Sequence, residues 1–407
     1  MNVASDVSVG RSAAPAAPTE RIVAIDVVRG FALLGVLLMN NQYQFRGPGE
    51  LYELSPHPMR GFFDVQADWI LGTFFEAKSV TLFSFLFGMG LAIQLERAEA
   101  RGAHFGTYAV RRLLALIGFG AVHLLLIWWG DILHVYAILG FVLLFFLRRR
   151  PTTILWTGMV LILVPPLLAF LVSAPSGPPM PSLTPAFVDE AIRTYRSGSW
   201  FEIAAFRLRH LEHHTTLRMA TIFYPYAFGL FLLGLWTWRK GIVRSPEAHR
   251  TFLRRFLAIA LPAGLILTVA PLAWRNYGHG PRWITIVLRA ASFTVATPLL
   301  AFAYGSGILL LTLREGARRW LAPLAPVGRM ALTNYLTQSV VMTLIMNSYG
   351  LALYGRVGPA LGALICLGLF AAQIVFSRWW LSRYRFGPAE WLWRTLTYGR
   401  LQPLRLA

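Results

Sequence analysis

The sequence is 407 residues long, apolar and strongly basic. Hydrophobic residues make up 56% of the chain and charged residues only 14%, with a mean hydropathy of +0.55. A soluble domain carries about a quarter charged residues, so this composition indicates lipid as the solvent. The net charge of +20 lies in short clusters between apolar runs, such as Arg148–Arg150. That placement argues against a nucleic-acid partner and favours anionic lipid headgroups at the cytoplasmic face.

The N-terminal segment differs from the rest of the chain. Residues 1–20 are rich in Ala, Pro and Ser, and we expect a disordered cytoplasmic tail. No apolar stretch precedes a cleavage-like site, so the first apolar run is expected to be an uncleaved anchor. Cys366 is the only cysteine and lies in an apolar run, which excludes an intrachain disulfide.

Apolar runs recur along the whole chain and predict an all-α polytopic membrane protein. A spanning helix needs about 20 predominantly apolar residues. The sequence predicts about ten such helices, near residues 22–40, 69–93, 109–128, 131–147, 152–174, 218–238, 252–274, 283–313, 327–347 and 357–381.

The distribution of Lys and Arg sets the orientation of these helices. With a cytoplasmic N-terminus, the cytoplasmic segments and adjoining helix ends hold 25 of them, and the outer segments hold 9. Positive residues concentrate on the cytoplasmic side of membrane proteins. The sequence therefore predicts that both termini are cytoplasmic and that the protein lies in a bacterial inner membrane.

Two long connections, 41–68 and 175–217, fall on the outer side. The second begins with a Pro-rich stretch, continues with an amphipathic helix, and separates two groups of five helices. Five helices in each half would give the halves opposite orientation, as in inverted-repeat transporters, although no residue-level repeat is visible. The predicted units are the tail 1–20, a first half 21–174, the outer loop 175–217, a second half 218–385 and an interfacial tail 386–407.

Four ionisable residues in the first two helices are candidate functional groups, because burying a charge in lipid is costly. Asp26 and Arg29 share one face of helix 1 near its cytoplasmic end. Glu76 and Lys78 point to different sides of helix 2, so each is expected to meet a partner on another helix. Lys78 is one of only two lysines, and a buried lysine, unlike arginine, can lose its proton. The alternative is that these residues only fix packing: Asp26 and Arg29 as an ion pair with each other, and Glu76 and Lys78 in ion pairs with residues of other helices.

A histidine and an aspartate lie on either side of the short connection between helices 3 and 4. Short connections join antiparallel neighbours, so His123 and Asp131 are expected at a similar depth near the outer face. A carboxylate beside an imidazole holds its tautomer, as a general base requires. The alternative is that Asp131 caps helix 4 and a backbone carbonyl satisfies His123. Trp128 and Trp129 are interpreted as interfacial anchors.

Two further polar groups, on helix 9 and in the outer loop, are candidate sites. Helix 9 begins with Arg329 and carries Asn334 and Gln338 on one face, which suits either a substrate or hydrogen bonds between helices. In the outer loop, His210 and His214 are spaced so that both could reach one metal ion. No third ligand is evident, so no metal site is predicted.

Several stretches together resemble the YeiB-like family, bacterial inner-membrane proteins with a C-terminal domain of unknown function. The resemblance spans nearly the whole chain and is carried by residues 26–35, 78–90, 123–136, 328–336 and 387–394. The family implies no assigned activity.

More remotely, the Asp26-x-x-Arg29-Gly30 start of helix 1 is similar to that of membrane acyltransferases of the heparan-alpha-glucosaminide acetyltransferase group. These transfer an acyl group from cytoplasmic acyl-CoA to an acceptor across the membrane, using a histidine near the first outer loop. Here the only histidine in that loop is His57, whose Ser-Pro-His-Pro context does not match theirs.

Three functional hypotheses follow. In the first, the protein is an acyltransferase with acyl-CoA as co-substrate. His123 deprotonates the acceptor hydroxyl and Asp131 orients the His123 ring. Arg29 and Arg329 hold the CoA phosphates. In the second, a proton-coupled transporter of a small solute relays protons through Glu76, Lys78, His123 and Asp131. In the third, a non-catalytic scaffold uses its charges only for packing. The sequence leaves the substrate and the oligomeric state open.

Overall fold

The computed structural model describes residues 22–45, 61–100, 102, 105–173, 184–211, 219–277 and 281–406. Within these ranges the chain forms helices and contains no strand; one isolated bridge pairs Tyr384 with Arg405. The predicted tail 1–20, the Pro-rich stretch 174–179, and the residues His57 and His214 lie outside the described residues.

The helices are numbered here in chain order. They are α1 Val23–Phe45, α2 Phe62–Phe74, α3 Lys78–Ala100, α4 Phe105–Val122, α5 Leu133–Leu144, α6 Pro151–Ser173, α7 Pro185–Ser197, α8 Trp200–Arg209, α9 Tyr224–Arg239, α10 Arg250–Tyr277, α11 Arg282–Ala291, α12 Thr297–Thr312, α13 Glu315–Leu321, α14 Leu324–Arg329, α15 Ala331–Met346, α16 Pro359–Leu381 and α17 Pro388–Tyr398. Short π-helical segments follow α4 (His123–Ile127), precede α9 (Met219–Phe223) and join α11 to α12 (Ser292–Ala296).

The prediction of an all-α polytopic membrane protein is confirmed. Among the described residues, eight helices, counted with their adjoining segments, are long and apolar enough to cross a membrane. The other two predicted spans correspond to shorter helices, α5 with 12 residues and α15 with 16. Both lie against longer neighbours, α5 against α4 and α15 against α1.

The two predicted groups of five helices share one core. In the second group, α9 packs against α3 and α6 of the first, and α1 of the first group packs against α14, α15 and α16. The core side chains include Leu82 and Met89 from α3 and Phe231 from α9. The groups therefore interleave and do not form two separate bundles.

One predicted helix is interrupted. The sequence predicts a continuous span over 69–93, but the chain turns at residues 75–77, where Ala77 has a φ of +59°. A positive φ is costly for alanine and ends the helix. The turn starts a new helix at Lys78 and exposes the neighbouring Glu76.

Candidate functional site

The turn between α2 and α3 positions Lys78. The Lys78 side chain is buried, and its Nζ donates to the Gly72 carbonyl oxygen at 3.2 Å. A cation at the carboxyl end of a helix satisfies carbonyls left without intrahelical partners. The sequence predicted that Lys78 would meet a partner on another helix; the partner found is this carbonyl on α2, just before the turn.

Asp131 lies between two histidines. Its Oδ1 is 2.8 Å from Nδ1 of His123, and its Oδ2 is 2.7 Å from Nδ1 of His134. The His134 backbone N–H also donates to Oδ2, at 3.0 Å, so Asp131 caps the first turn of α5 as well. Both alternatives considered for Asp131, a histidine partner and a helix cap, are therefore present together.

The two histidines differ in their access to solvent. The side chain of His123 is fully buried, enclosed by Trp128 and by Tyr335, whose ring centroid is 5.0 Å from that of His123. Its Nε2 has no hydrogen-bond partner. The side chain of His134 is 22% exposed and lines the large cavity described below. The sequence predicts His123 as the general base, but the histidine that reaches open space is His134.

His123 is the first residue of the π-helical segment that follows α4. Such segments often occur at functional sites. The segment ends where the Trp128 N–H donates to the His123 carbonyl at 2.7 Å, and the extended chain then leads to Asp131. This local geometry brings Asp131 back against the last turn of α4.

A close helix crossing positions two arginines at the other end of the molecule. A Cβ on Gly30 of α1 would collide with the Leu324 carbonyl oxygen, and one on Gly328 of α14 would collide with the Asp26 carbonyl oxygen. Only glycine permits backbones to approach this closely. Arg29 and Arg329 are the chain neighbours of these two glycines, both line the cavity described below, and Arg29 Nη1 also donates to Asp26 Oδ1 at 2.9 Å.

The C-terminal helix α17 packs at the same end of the molecule, where it contacts α15 and α4. The carboxylate of Glu390 accepts from the backbone N–H groups of Leu332 and Thr333, at 2.7 and 3.2 Å, and from the Thr333 hydroxyl at 2.5 Å. These bonds satisfy free donors at the start of α15. Burial raises the pKa of the Glu390 carboxyl above its ordinary value, while the hydrogen bonds oppose this. Arg112 of α4 stacks on the Trp393 ring at 3.5 Å.

One large cavity connects these two regions. Its volume is about 1790 Å³. The part of the cavity near the predicted cytoplasmic ends of the helices is lined by Asp26, Arg29, Arg112, Arg329, Glu390 and Arg394. The part near the predicted outer ends of the helices is lined by Glu76, Lys78, Asp131 and His134.

Two predicted substrate-binding residues lie elsewhere. Asn334 Nδ2 donates to the Val327 carbonyl and the Ser377 hydroxyl, at 3.2 and 3.0 Å, and Gln338 Nε2 donates to Gln373 Oε1 at 2.8 Å. Neither residue lines the cavity. Their contacts join α15 to α16, as the packing alternative for these residues expects.

In the outer helices, α7 and α8, the described residues include no group of three or more His, Cys, Asp or Glu side chains that could hold a metal ion. His210 lies against the rings of Phe187 and Phe206, and its Nε2 is 3.8 Å from Glu190. Its predicted partner His214 falls outside the described residues.

Four charged or titratable residues of the cavity, Arg112, His134, Glu390 and Arg394, were not predicted as site residues. His134, Glu390 and Arg394 lie within the stretches 123–136 and 387–394 that carry the family resemblance, and Arg112 lies outside them. For His134, the spacing from Asp131 gives the signal, since i and i+3 residues face each other at a helix start. For Glu390 no local signal exists, because its partners are nearly 60 residues away in the chain.

The chain is similar to several known sequences. Residues 237–400 match the family described as "Protein of unknown function (DUF418)". The "Uncharacterized protein YxaH" of Bacillus subtilis is 38% identical, over 96% of this chain and 97% of that protein. An "Uncharacterized 39.9 kDa protein in amylase 3'region" of Bacillus acidopullulyticus is 30% identical over 96% and 98%. The "Uncharacterized protein YeiB" of Escherichia coli is 30% identical over 93% and 96%.

Proposed function

Because this chain belongs to the YeiB-like family of membrane proteins, we propose that it is a bacterial inner-membrane acyltransferase. In this proposal it transfers an acyl group from a cytoplasmic acyl-CoA to a hydroxyl or amine of an acceptor on the outer side. The single observation that carries the proposal is the cavity lined by arginines at its predicted cytoplasmic end and by His134 and Asp131 at its predicted outer end.

The cytoplasmic end of the cavity suits the phosphates of a CoA headgroup. Arg29, Arg112, Arg329 and Arg394 line it with two carboxylates, those of Asp26 and Glu390. The four guanidinium groups outnumber the two carboxylates, so the local charge is positive. Guanidinium groups bind phosphate through paired hydrogen bonds. Positive potential at this end would also retain anionic lipid headgroups at the membrane surface.

The outer end of the cavity suits a general base. Asp131 accepts from Nδ1 of His134 and so leaves Nε2 as the nitrogen that takes a proton. His123, on the other carboxylate oxygen, fixes the direction in which Asp131 points. This is the arrangement in which a carboxylate holds an imidazole in one tautomer and stabilises its protonated form.

The reaction follows from these positions. The acceptor hydroxyl gives its proton to His134 Nε2 while its oxygen attacks the thioester carbonyl carbon. A C–O bond forms, the C–S bond breaks, and His134 returns the proton to the departing thiolate as free CoA. The products are an acyl ester on the acceptor and a thiol, with no oxidant or reductant required.

The proposal is tested in inverted membrane vesicles, which expose the cytoplasmic face. Acetyl-CoA radiolabelled in its acetyl group is added outside, and label is followed on the protein and on luminal envelope material. Label is expected to accumulate with the unaltered protein and to be lost with His134→Asn. The control is His249→Asn, whose ring lies on the loop before α10 and outside the cavity. Equal label with and without His134 would contradict the proposal.

A second candidate function, proton-coupled transport of a small solute, is favoured by the Glu76 and Lys78 side chains. Both line the same cavity as Asp131 and His134, so four titratable groups border one space. Protons can move between such groups in transporters. This function would couple solute entry to proton flux, visible as a change in a luminal pH-sensitive dye.

A further inference from the structure

One arginine of the outer helices is buried. Helix α8 carries Arg207 and Arg209 in its last turn. Arg209 is exposed, with 64% of its side chain accessible, and pairs with Glu190 at 3.2 Å. Arg207 is only 2% exposed and faces the helical bundle. The sequence predicted an amphipathic helix here, and Arg207 lies on its protein-facing side.

The guanidinium of Arg207 is not neutralised by the described residues. Its Nη1 and Nη2 atoms are buried and have no hydrogen-bond partner, its Nε donates only weakly to the Tyr195 hydroxyl, at 3.4 Å, and its Cζ lies 5.7 Å from the Tyr195 ring centroid, a contact that does not neutralise the charge. Three acids lie on α7 and α8: Glu190 pairs with Arg209, Glu202 takes part in the cap of α8, and Asp189 is exposed. Arginine stays protonated in proteins, and an isolated buried charge costs several kcal/mol.

A second unsatisfied donor borders the same space. The Trp128 side chain is 4% exposed, and its indole Nε1 has no hydrogen-bond partner. Trp128 and Arg207 together line a small cavity of about 10 Å³, with Thr343 and Asn347 of the α15 end. That volume holds about one water-sized species. The indole and guanidinium groups only donate, so both require an acceptor.

We propose that this small cavity is a binding site for one small monovalent anion of the size of chloride. A water molecule would accept from the two donors but would leave Arg207 without a counter-charge among the residues that the structure describes. A carboxylate or phosphate compound is too large for the space. The bound anion bridges α8 to the turn after α4 and to the end of α15, and so fastens the outer helices to the membrane bundle. This site does not depend on acyl transfer.

The proposal is tested by thermal unfolding of the full chain in lipid nanodiscs. Chloride is titrated against gluconate, which is too large for the cavity, at constant ionic strength. The unaltered protein is expected to show an apparent unfolding temperature that rises and saturates with chloride. Arg207→Met is expected to abolish this dependence, while Arg209→Met, on the same helix turn, keeps it.

If Arg207→Met does not fold, the milder variant Trp128→Phe tests the same proposal. Trp128→Phe keeps an aromatic ring and removes the indole N–H. It is expected to raise the chloride concentration at half-effect about ten-fold, a change of about 1.4 kcal/mol. Equal unfolding temperatures of the unaltered protein in chloride and gluconate would overturn the proposal. So would a chloride response that persists in Arg207→Met, or a half-effect concentration unchanged in Trp128→Phe.

Discussion

Replacing Asp131 with asparagine is expected to lower label transfer in inverted vesicles by about 100- to 10,000-fold. The carboxylate accepts from both histidines through separate oxygens, at 2.8 and 2.7 Å. An amide offers one oxygen and one NH₂ group, so one histidine must change its tautomer or lose its partner. The loss is measured as the initial rate of acetyl transfer.

Two comparisons make this result specific. His134→Asn removes the imidazole of the histidine that lines the cavity and is expected to match the loss in Asp131→Asn. His123→Asn changes only the buried partner and keeps a short polar side chain, so a smaller loss of about ten-fold is expected, within the range for context-dependent hydrogen bonds. If His123→Asn abolished transfer while His134→Asn left it intact, the base would be His123 and the proposed geometry would fail.

Replacing Gly328 with alanine is expected to destabilise the protein by about 1–3 kcal/mol or more. The added methyl group would collide with the Asp26 carbonyl oxygen on α1, and backbone cannot yield as the end of a flexible side chain can. Because α1 and α14 would separate, Arg29 and Arg329 would also move apart and acyl-CoA binding would weaken. The measurement is the apparent unfolding temperature in nanodiscs.

A matched control exists on another helix. Gly368 of α16 has open space around it, and alanine there is expected to leave stability unchanged or to raise it slightly, because glycine costs about 0.5–1 kcal/mol within a helix. If Gly328→Ala unfolded at the same temperature as Gly368→Ala, the close crossing of α1 and α14 would not be a determinant of stability.

The sequence predicts the helices well because their signal is local. Runs of about 20 apolar residues and the bias of Lys and Arg suffice to define the spans, and no long-range information is needed. The closeness of His123 and Asp131 was also predictable, since a short connection leaves two helices few ways to pack. The turn before Lys78 was missed because Phe75–Ala77 contains neither Gly nor Pro, the usual signals of a helix break.

The depth at which each side chain reaches open space could not be predicted. His123 and His134 both contact Asp131, and only the packing of Trp128 and Tyr335 decides which of them is enclosed. Asn334 and Gln338 share one face of a helix, and that face would be polar whether it bound a substrate or formed hydrogen bonds to another helix. Their contacts with Ser377 and Gln373 on α16 depend on the spatial order of helices, which hydropathy does not encode.

The scaffold hypothesis retains a physical basis in some of the charges. Asp26 pairs with Arg29, and Lys78 donates to the Gly72 carbonyl, two contacts that helix packing alone explains. What packing does not require is a cavity of about 1790 Å³ that reaches both charge groups. The path of an acyl group through that cavity is therefore the central claim.

Doubly labelled acetyl-CoA tests that claim most directly. One isotope marks the acetyl group and a second marks the CoA moiety, and both are followed across the membrane of inverted vesicles. The account predicts that the acetyl label appears in the lumen on an acceptor while the CoA label stays outside as free thiol. Entry of both labels together in equal amounts, or of neither, would contradict it.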